Sequence, residues 1–479
     1  MIAAVCWVPK GVAKVVPEEA TELTSNGEIE ETNEASEEEK DDKEMDNEEM
    51  DVDGSEQVDE VAHALAAIKG LRADKGNKNS TELNDIASRL NELMSGYDEE
   101  DDVPDCIGAG VGNLYYPSND MDPYLQDKDE DEEEEIDDMI IKPTDGVIVA
   151  ACTDEEDEYS YLQVSIYEET EDGEPNMFTH QEKVLSAFPL CTAWLDFKPE
   201  SEDKGNYIAV GTMEPAIEIW DLDLIKEENP SMILGGRSEK SGKYKSGSHK
   251  GSVLGLSWNK EFRNVLASAS ADKSVKVWDL EKKKCVATAK HHTDKVQAVA
   301  WNRHSPSLLL SGSFDRSVVT MDCRNIENPS NRWSIEADVE SLAWDPHNEH
   351  CFVVSLDNGT VQGFDVRTAS SDSTSGSKPT FTLHAHDSAV TSVSYNLAAP
   401  NLLATGSLDK MVKLWDLSNN QPSCVASSNI KSGRVFSISF SEDSPFLLAV
   451  GGKKGGLRVW DILSEPAIER SFGKYNNQK

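Results

Sequence analysis

The sequence predicts an all-β protein in which seven blades of short strands close into a propeller. Three observations lead to this prediction. Tryptophans recur every 43 residues at Trp258, Trp301 and Trp344. Runs such as "SVKVWDL" alternate apolar and polar residues, which is typical of strands, and Gly and Asp interrupt them at turns. A period of roughly 40–45 residues with four strands per repeat is typical of a propeller blade.

The repeat extends on both sides of these tryptophans, because Trp194 precedes them and Tyr395 and Phe440 follow in the same position. We name the strands of a blade A to D from the centre of the ring outward. Strands B to D of blade 1 are predicted within 141–187, and the candidate for its strand A is the apolar run near the N-terminus. The predicted organisation is therefore strand A of blade 1 in 1–16, an insertion in 17–140, and the remaining propeller in 141–479.

The insertion is predicted to be acidic, low in complexity and largely disordered. Residues 17–140 hold 43 of the 90 acidic residues but only 8 of the 45 Lys and Arg. Such a segment buries too little apolar surface to fold alone. Two islands within it, the helical pattern of "NSTELNDIASRLNELMSGYDEED" and the aromatic cluster of "VGNLYYPSNDMDPYL", are candidate docking segments. Ser36 and Ser55 precede acidic residues and are candidate phosphorylation sites.

A second regularity predicts a polar network within blades 3, 4 and 6. Three histidines each lie 23 residues before an aspartate, and each aspartate lies six residues before the Trp-Asp position; the sets are His249, Asp272 and Trp278, then His292, Asp315 and Met321, then His386, Asp409 and Trp415. A histidine before strand A can donate to a carboxylate in the B–C turn, and a strand-B hydroxyl and the indole can extend the network. Met321 shortens it in blade 4, and blades 2, 5 and 7 lack the histidine, so apolar packing is expected there. A catalytic role would also need a nucleophile and oxyanion donors, and three copies at one spacing favour architecture.

One face of the propeller is a candidate partner-binding surface. The residue after the turn aspartate is a cation in three blades, namely Lys273, Arg316 and Lys410, and the corresponding turn of blade 7 has Lys453 and Lys454. Two of the aspartates are preceded by an apolar residue, Phe314 or Leu408, which completes the set of candidates. Either these are ordinary turn residues, or they form a basic, partly apolar face for an acidic peptide or an RNA backbone. A further basic loop, 235–251, is flexible by composition and is either a solvated linker or a weak nuclear-import or nucleic-acid patch.

Several function classes have no support in the sequence. No apolar run approaches the roughly 18–20 residues that span a bilayer, and the short N-terminal apolar run does not match a signal peptide. The eight cysteines are scattered without a Cys-x-x-Cys motif, which argues against disulfides and zinc. No phosphate loop or paired catalytic carboxylates stand out. We therefore expect no enzymatic activity, no cofactor, no membrane contact and no small-molecule substrate.

Particular motifs connect the chain with a known family. The segments "VCWVPKGVAK", "SNDMDPY" and "GGKKGGLRVWD", the acidic insertion and the repeats resemble the periodic tryptophan protein 1 family over nearly the whole chain. The His, Asp and Trp residues above resemble the structural tetrad of WD-repeat propellers. The resemblance implies a nuclear and nucleolar protein in ribosome biogenesis, associated with ribosomal-RNA production and chromatin and without enzymatic activity.

Three functions remain open from the sequence. The first is a nuclear scaffold that binds ribosome assembly factors, ribosomal proteins, pre-ribosomal RNA or ribosomal-DNA chromatin. The second is a chaperone for histones or ribosomal proteins that acts through its acidic tract. The third is a substrate adaptor of a ubiquitin ligase, a common role of propellers.

Overall fold

The computed structural model describes residues 1–19, 139–154, 156, 159–169, 174–198, 203–238, 240–325, 329–368 and 378–476. These residues belong to one compact unit, Met1–Glu22 with Glu130–Lys479. Most of the predicted acidic insertion, its two islands, and Ser36 and Ser55 lie outside the described residues.

Seven antiparallel sheets form the blades and confirm the predicted all-β propeller. Blade 1 contains β1 (Ile2–Val8), β3 (Gly146–Thr153), β4 (Ser160–Glu169) and β5 (Pro175–Leu185). Blade 2 contains β6 (Pro189–Phe197), β7 (Lys204–Thr212), β8 (Ala216–Asp221) and β10 (Met232–Gly235). Blade 3 contains β11 (Val253–Trp258), β12 (Val265–Ser270), β13 (Val275–Asp279) and β14 (Lys284–Ala289), and blade 4 contains β15 (Val296–Trp301), β16 (Leu308–Ser313), β17 (Ser317–Asp322) and β18 (Pro329–Ser334). Blade 5 contains β19 (Val339–Trp344), β20 (Cys351–Leu356), β21 (Thr360–Asp365) and β22 (Phe381–His384). Blade 6 contains β23 (Val390–Tyr395), β24 (Leu402–Ser407), β25 (Val412–Asp416) and β26 (Ser423–Ser428). Blade 7 contains β27 (Val435–Phe440), β28 (Leu447–Gly452) and β29 (Arg458–Asp461).

A few short elements lie outside the blades. The strand β2 (Glu18–Glu19) pairs in parallel with β9 (Leu224–Ile225), which belongs to the connection between strands C and D of blade 2. Blade 7 is followed by the helix α1 (Pro466–Phe472). Short 3-10 turns are Cys323–Asn325, Val366–Thr368, Ser418–Asn420, Ile462–Ser464 and Gly473–Tyr475.

Blade 1 combines the N-terminal strand with strands that follow the insertion. β1 pairs antiparallel with β3, so Trp7 lies opposite Ile148 and Val8 opposite Val147. Ile2–Val8 therefore occupies the strand A position of blade 1, beside blade 7. Its residues are mostly buried, which explains why this run is apolar although the sequence that follows it is acidic.

The core of the propeller lies between successive blades. Glycines near the end of strand B allow strand A of the next blade to approach closely. A Cβ atom on Gly312 would lie 2.5 Å from a methyl carbon of Val339, and one on Gly451 would lie 2.5 Å from a methyl carbon of Ile2. The junction of blade 7 with blade 1 therefore has the same close packing as an ordinary junction, and this packing closes the ring.

Three tryptophans of strand A connect neighbouring blades. The indole Nε1 of Trp301 donates to the carbonyl oxygen of Ser257 at 3.1 Å. Trp344 donates in the same way to Ala300 at 3.1 Å, and Trp7 to Ser439 at 2.9 Å. Each of these bonds runs from strand A of one blade to strand A of the preceding blade. Trp258 and Trp194 instead donate within their own blades, at 2.8 and 3.0 Å.

Candidate functional site

A buried polar network supports the B–C turn of blade 3. Nδ1 of His249 lies 3.0 Å from Oδ2 of Asp272, and its Nε2 lies 2.7 Å from the hydroxyl of Ser268. The indole of Trp278 donates to the same hydroxyl at 2.8 Å. His249 and Ser268 are fully buried, so these bonds replace the water that each polar group loses.

Blade 6 repeats this arrangement. His386 contacts Asp409 and the hydroxyl of Thr405, both at 2.8 Å. Trp415 donates to Thr405 at 3.0 Å.

Blade 4 has the shorter network that the sequence predicts. His292 contacts Asp315 at 3.0 Å and Ser311 at 2.9 Å, while the fully buried Met321 stands in the indole position. Arg332 of strand D adds a contact to Asp315 at 3.2 Å. Sequence spacing gave no indication of Arg332, because strand D differs in length between blades.

The blades without the histidine differ from one another. In blade 5 the expected apolar packing is present, since Phe364 stacks on Phe352 with ring centroids 5.4 Å apart. In blade 2 the expectation of apolar packing is incomplete, because Trp220 donates to the buried carboxylate of Glu218 at 3.1 Å. The two residues are two positions apart in one strand and therefore point to the same face, which places the carboxylate beside the indole.

Burial and hydrogen bonding set the charges of these networks. Burial lowers the pKa of His249 and of His386 below the ordinary value of 6.5, and outweighs the opposing effect of their aspartates. Burial alone would raise the pKa of Asp272. The hydrogen bonds from His249 and Ser274 lower this pKa by a larger amount, so the net pKa is below its ordinary value. The resulting state is a neutral imidazole that donates to a carboxylate. These pairs act as supports for the turns above them, because each joins the loop before strand A to the B–C turn.

The candidate cations lie in the B–C turns on the face that these networks support. Lys273, Arg316 and Lys410 all have left-handed backbones, with φ of 68°, 60° and 74°. Each closes a tight turn, as when the Lys273 amide donates to the Ser270 carbonyl oxygen at 3.2 Å. Blade 5 has Gly359 in the same position, with φ of 84°. All three cations are exposed, and they belong to different blades, so they form part of a rim and not one cluster.

The remaining partner-binding candidates lie on the same rim. Lys453 and Lys454 are exposed in the B–C turn of blade 7. Leu408 and Phe314 are half-buried, and Nζ of Lys295 lies 3.7 Å from the centroid of the Phe314 ring. Phe314 is therefore partly covered by a cation. The position of Lys295 in the loop before strand A gave no signal for this contact in the sequence.

Part of the basic segment between blades 2 and 3 forms a short hairpin, which its composition does not predict. Arg237 and Tyr244 form a bridge of this antiparallel hairpin. The Arg237 guanidinium also lies over the Tyr244 ring, 4.9 Å from its centroid, and donates to its hydroxyl at 3.0 Å. Gly236 and Gly242 have positive φ and supply the turns. The flexibility expected of Gly, Ser and Lys in 235–251 stays a prediction.

The opposite face has a cavity of about 590 Å³ at the mouth of the central channel. Its cations Lys260 and Arg303 both pair with Glu442, which extends from blade 7; the Arg303–Glu442 distance is 2.8 Å. Burial alone would raise the pKa of Glu442. The two cations lower this pKa by a larger amount, so the net pKa lies below the ordinary value. Glu442 therefore offsets part of the positive charge at this mouth, whereas the ion pairs of the described turn face include Arg316 with Asp338 at 3.3 Å but not Lys273 or Lys410.

The part of the chain that the structure describes contains no group of three or more His, Cys, Asp or Glu side chains that could hold a metal ion. The same residues include no helix long and apolar enough to cross a membrane.

Comparisons with known proteins agree with the repeat and the fold. The family model "WD domain, G-beta repeat" matches residues 377–416 and 422–461, and "Anaphase-promoting complex subunit 4 WD40 domain" matches 218–304. A WD repeat-containing protein of Schizosaccharomyces pombe is 40% identical over 72% of this chain and 67% of its own length.

Two relatives have a more specific name. Periodic tryptophan protein 1 of Saccharomyces cerevisiae is 31% identical over 91% of this chain and 83% of its own length. The periodic tryptophan protein 1 homolog of Drosophila melanogaster is 32% identical over 58% of this chain and 55% of its own length. Since the similarity to the yeast protein extends over both the propeller and most of the remaining chain, this chain belongs to the periodic tryptophan protein 1 family of WD-repeat proteins.

Proposed function

We propose that this protein is a non-enzymatic scaffold in ribosome biogenesis that works in the nucleus and nucleolus. Its partners are ribosome assembly factors, ribosomal proteins and pre-ribosomal RNA or ribosomal-DNA chromatin. Family membership supports this proposal, as does a fold that leaves two loop faces free around a rigid ring.

The observation that carries the proposal is the exposed rim of cations in the B–C turns. Lys273, Arg316 and Lys410 occupy one turn position in three blades, and each is oriented by a buried network below it. Cations on a rigid rim attract phosphates or carboxylates over several ångströms and fix the orientation of a bound partner. At the opposite mouth Lys260 and Arg303 share the carboxylate of Glu442, whereas the ion pairs of the described residues include neither Lys273 nor Lys410.

The test replaces these three residues together by glycine (K273G/R316G/K410G). Glycine suits a left-handed backbone, and its entropy cost of about 0.5–1 kcal/mol is similar to the strain that it relieves, about 1–2 kcal/mol per residue. The fold should therefore persist. Tagged wild-type and variant proteins are recovered from nuclear extract with and without RNase, and pre-ribosomal RNA and assembly factors are quantified.

We expect wild-type protein to be enriched in both and the triple variant to lose most of that enrichment, by about tenfold. The matched control is Lys283→Gly, because Lys283 is exposed and left-handed, with φ of 53°, but lies in the C–D turn on the opposite face. Equal recovery by the triple variant and the control would contradict the turn face as the binding surface. Absence of the fluorescently tagged protein from nucleoli would contradict the proposed location.

The acidic-tract chaperone remains the second candidate, because 43 acidic residues are concentrated in 17–140. It predicts that free histones or ribosomal proteins are recovered without assembly factors. It also predicts that neutralising 127–138 abolishes their binding while the triple glycine variant does not.

A further inference from the structure

Blade 7 lacks an outer strand in the described residues. Its sheet has the order β27-β28-β29, whereas each of the other blades has four strands. The inner edge of β29 pairs with β28, with Trp460 opposite Leu448. The outer edge of β29, which strand D covers elsewhere, has no strand partner among the described residues. Unpaired backbone donors and acceptors at a sheet edge form a template for another strand.

The side chains of β29 show the same incomplete cover. Trp460 is half-buried, while the equivalent Trp278 and Trp415 are 1% and 6% exposed. Its indole has no acceptor among the described residues, because the strand-B position that holds Ser268 or Thr405 in other blades is Val450. Trp460 therefore retains an unused donor beside the open edge.

Neighbouring blades turn this edge into a slot. Val459 packs against the blade 1 cluster that includes Ile148 and the half-buried Tyr161 and Tyr167. On the other side, Trp460 packs against the cluster shared by blades 6 and 7. The helix α1 packs through Ile468 and Phe472 into that cluster and contacts β26. A strand in the slot would thus have apolar walls on both faces, unlike a strand added to the outermost edge of another blade.

Five exposed cations surround the upper end of the slot: Lys431, Arg434, Lys453, Lys454 and Arg458. Backbone bonds hold the first four close together, since the Lys453 amide donates to the Arg434 carbonyl oxygen at 2.9 Å and the Lys454 amide to Ser432 at 3.1 Å. The ion pairs of the described residues include none of the five. The lower end of β29 carries the exposed Asp461 instead. The slot therefore favours a segment that is acidic at one end and apolar beyond it.

We infer that an extended segment of a partner protein, acidic at one end, adds to β29 as the fourth strand of blade 7. Main-chain hydrogen bonds supply the affinity, and the cations and the apolar walls select the sequence. The inference does not depend on a role in ribosome assembly, because it concerns the outer edge of blade 7 and shares only Lys453 and Lys454 with the turn face.

The test uses the full-length chain and the blocked peptide Val-Thr-Val-Ser-Val-Asp-Glu as the probe, because its acidic C-terminal end lies beside Arg458 when it pairs antiparallel with β29. Hydrogen exchange at Arg458–Asp461 should slow at least severalfold when the peptide binds, because the outward amides gain acceptors. Two control peptides are N-methylated at odd or at even positions. Successive amides of a strand point in opposite directions, so one control should bind like the parent and the other should not bind.

Charge is tested by Arg458→Glu, which should weaken peptide binding about tenfold. The matched control is Lys284→Glu, an exposed lysine of the outer strand β14, and it should bind within about twofold of wild type. Thermal unfolding verifies that both variants fold. Arg458 is exposed, and the ion pairs of the described residues do not include it, so its replacement should leave the fold intact.

Three results would overturn the inference. One is peptide binding without slower exchange at Arg458–Asp461. Another is slow exchange at Arg458–Asp461 before any peptide is added. This result would mean that another segment of this chain or a second copy of the protein already fills the slot. The molecular mass in solution distinguishes the segment from the second copy. The third is slowing by polyuridylate but not by the peptide.

Discussion

His249 lies fully buried beneath the turn that carries Lys273, and both of its ring nitrogens are used. A buried imidazole with one donor and one acceptor role is stable only as the neutral form. Asp272, which accepts from it, also accepts from the Lys250 amide at 2.9 Å. A single residue thus connects the loop before strand A with the B–C turn, and the same connection recurs at His386.

At the residue scale we predict that stability falls as the pH decreases below about 6.5. The native pKa values of His249 and His386 are lowered from 6.5, so below that pH the unfolded chain takes up protons that the native state does not. Each histidine then contributes up to about 1.4 kcal/mol per pH unit. The partner aspartates have lowered pKa values and lose their contribution only below 3.8. Thermal unfolding at pH 7.5 and 5.5 measures the effect.

The double variant H249Q/H386Q should be less stable at pH 7.5, by about 1–3 kcal/mol per site, and should depend less on pH between 7.5 and 5.5. His384→Gln is the control, because His384 is exposed on β22. An equal loss of stability on acidification in the double variant and in wild type would exclude these histidines as the cause.

At the scale of elements, the loops between strands A and B join neighbouring blades. The Asn302 side-chain oxygen accepts from the His304 and Ser305 amides at 2.8 and 2.9 Å, which forms the loop. Its Nδ2 donates to the Glu349 carbonyl oxygen of the next blade at 2.8 Å. Asn259 makes the equivalent bonds one blade earlier. Trp301 and Asn302 together therefore supply one bond to the preceding blade and one to the following blade.

We predict that Asn302→Ala destabilises the protein by about 2–3 kcal/mol, because it leaves two loop amides and a carbonyl without their partner. Asn302→Ser should cost less, since a hydroxyl can still accept from the loop, as Ser441 does from the Ser444 amide at 3.1 Å. The loss in Asn302→Ser, about 1 kcal/mol, measures the bond between blades, because this variant keeps an acceptor for the loop amides but lacks the donor to Glu349. Chemical denaturation provides both values, and wild-type stability in Asn302→Ser would show that the bond to Glu349 contributes nothing.

At the scale of the whole molecule, β1 closes the ring against blade 7. The Val5 amide donates to the Ser437 hydroxyl at 3.1 Å, and the Lys10 amide donates to Asp443 at 2.7 Å. Together with the Trp7 indole bond, these contacts join residues that are more than 430 positions apart. Ring closure therefore depends on a long-range contact, which forms late and at a high entropic cost.

We predict that Trp7→Ala destabilises the propeller by about 3–5 kcal/mol, as expected for a large buried side chain. Hydrogen exchange should increase most in β3 and β27, the strands beside it. Val15→Ala is the control, since Val15 is 50% exposed, and it should alter stability by less than about 0.5 kcal/mol. A Trp7→Ala protein with wild-type exchange in β27 would contradict closure through this residue.

The sequence by itself determined the all-β class, the number of blades and the position of the histidine networks, because each blade repeats the same local requirements. Period-2 alternation, turn residues and the spacing from His249 to Asp272 are local signals that remain readable without tertiary contacts. The WD-repeat family was also evident from motifs in the sequence. The identity of the partner-binding residues stays a prediction.

Only the tertiary structure decided which contacts join one blade to another. The indole bond of Trp301, the pairing of Glu442 with Lys260 and Arg303, and the open edge of β29 all depend on residues far apart in the chain. The hairpin at Arg237 and Tyr244 likewise depends on a ring contact that composition does not reveal. A repeat specifies its own strands and turns locally, but the neighbours of each blade, and the edge of β29 that has no strand partner among the described residues, follow from the tertiary arrangement.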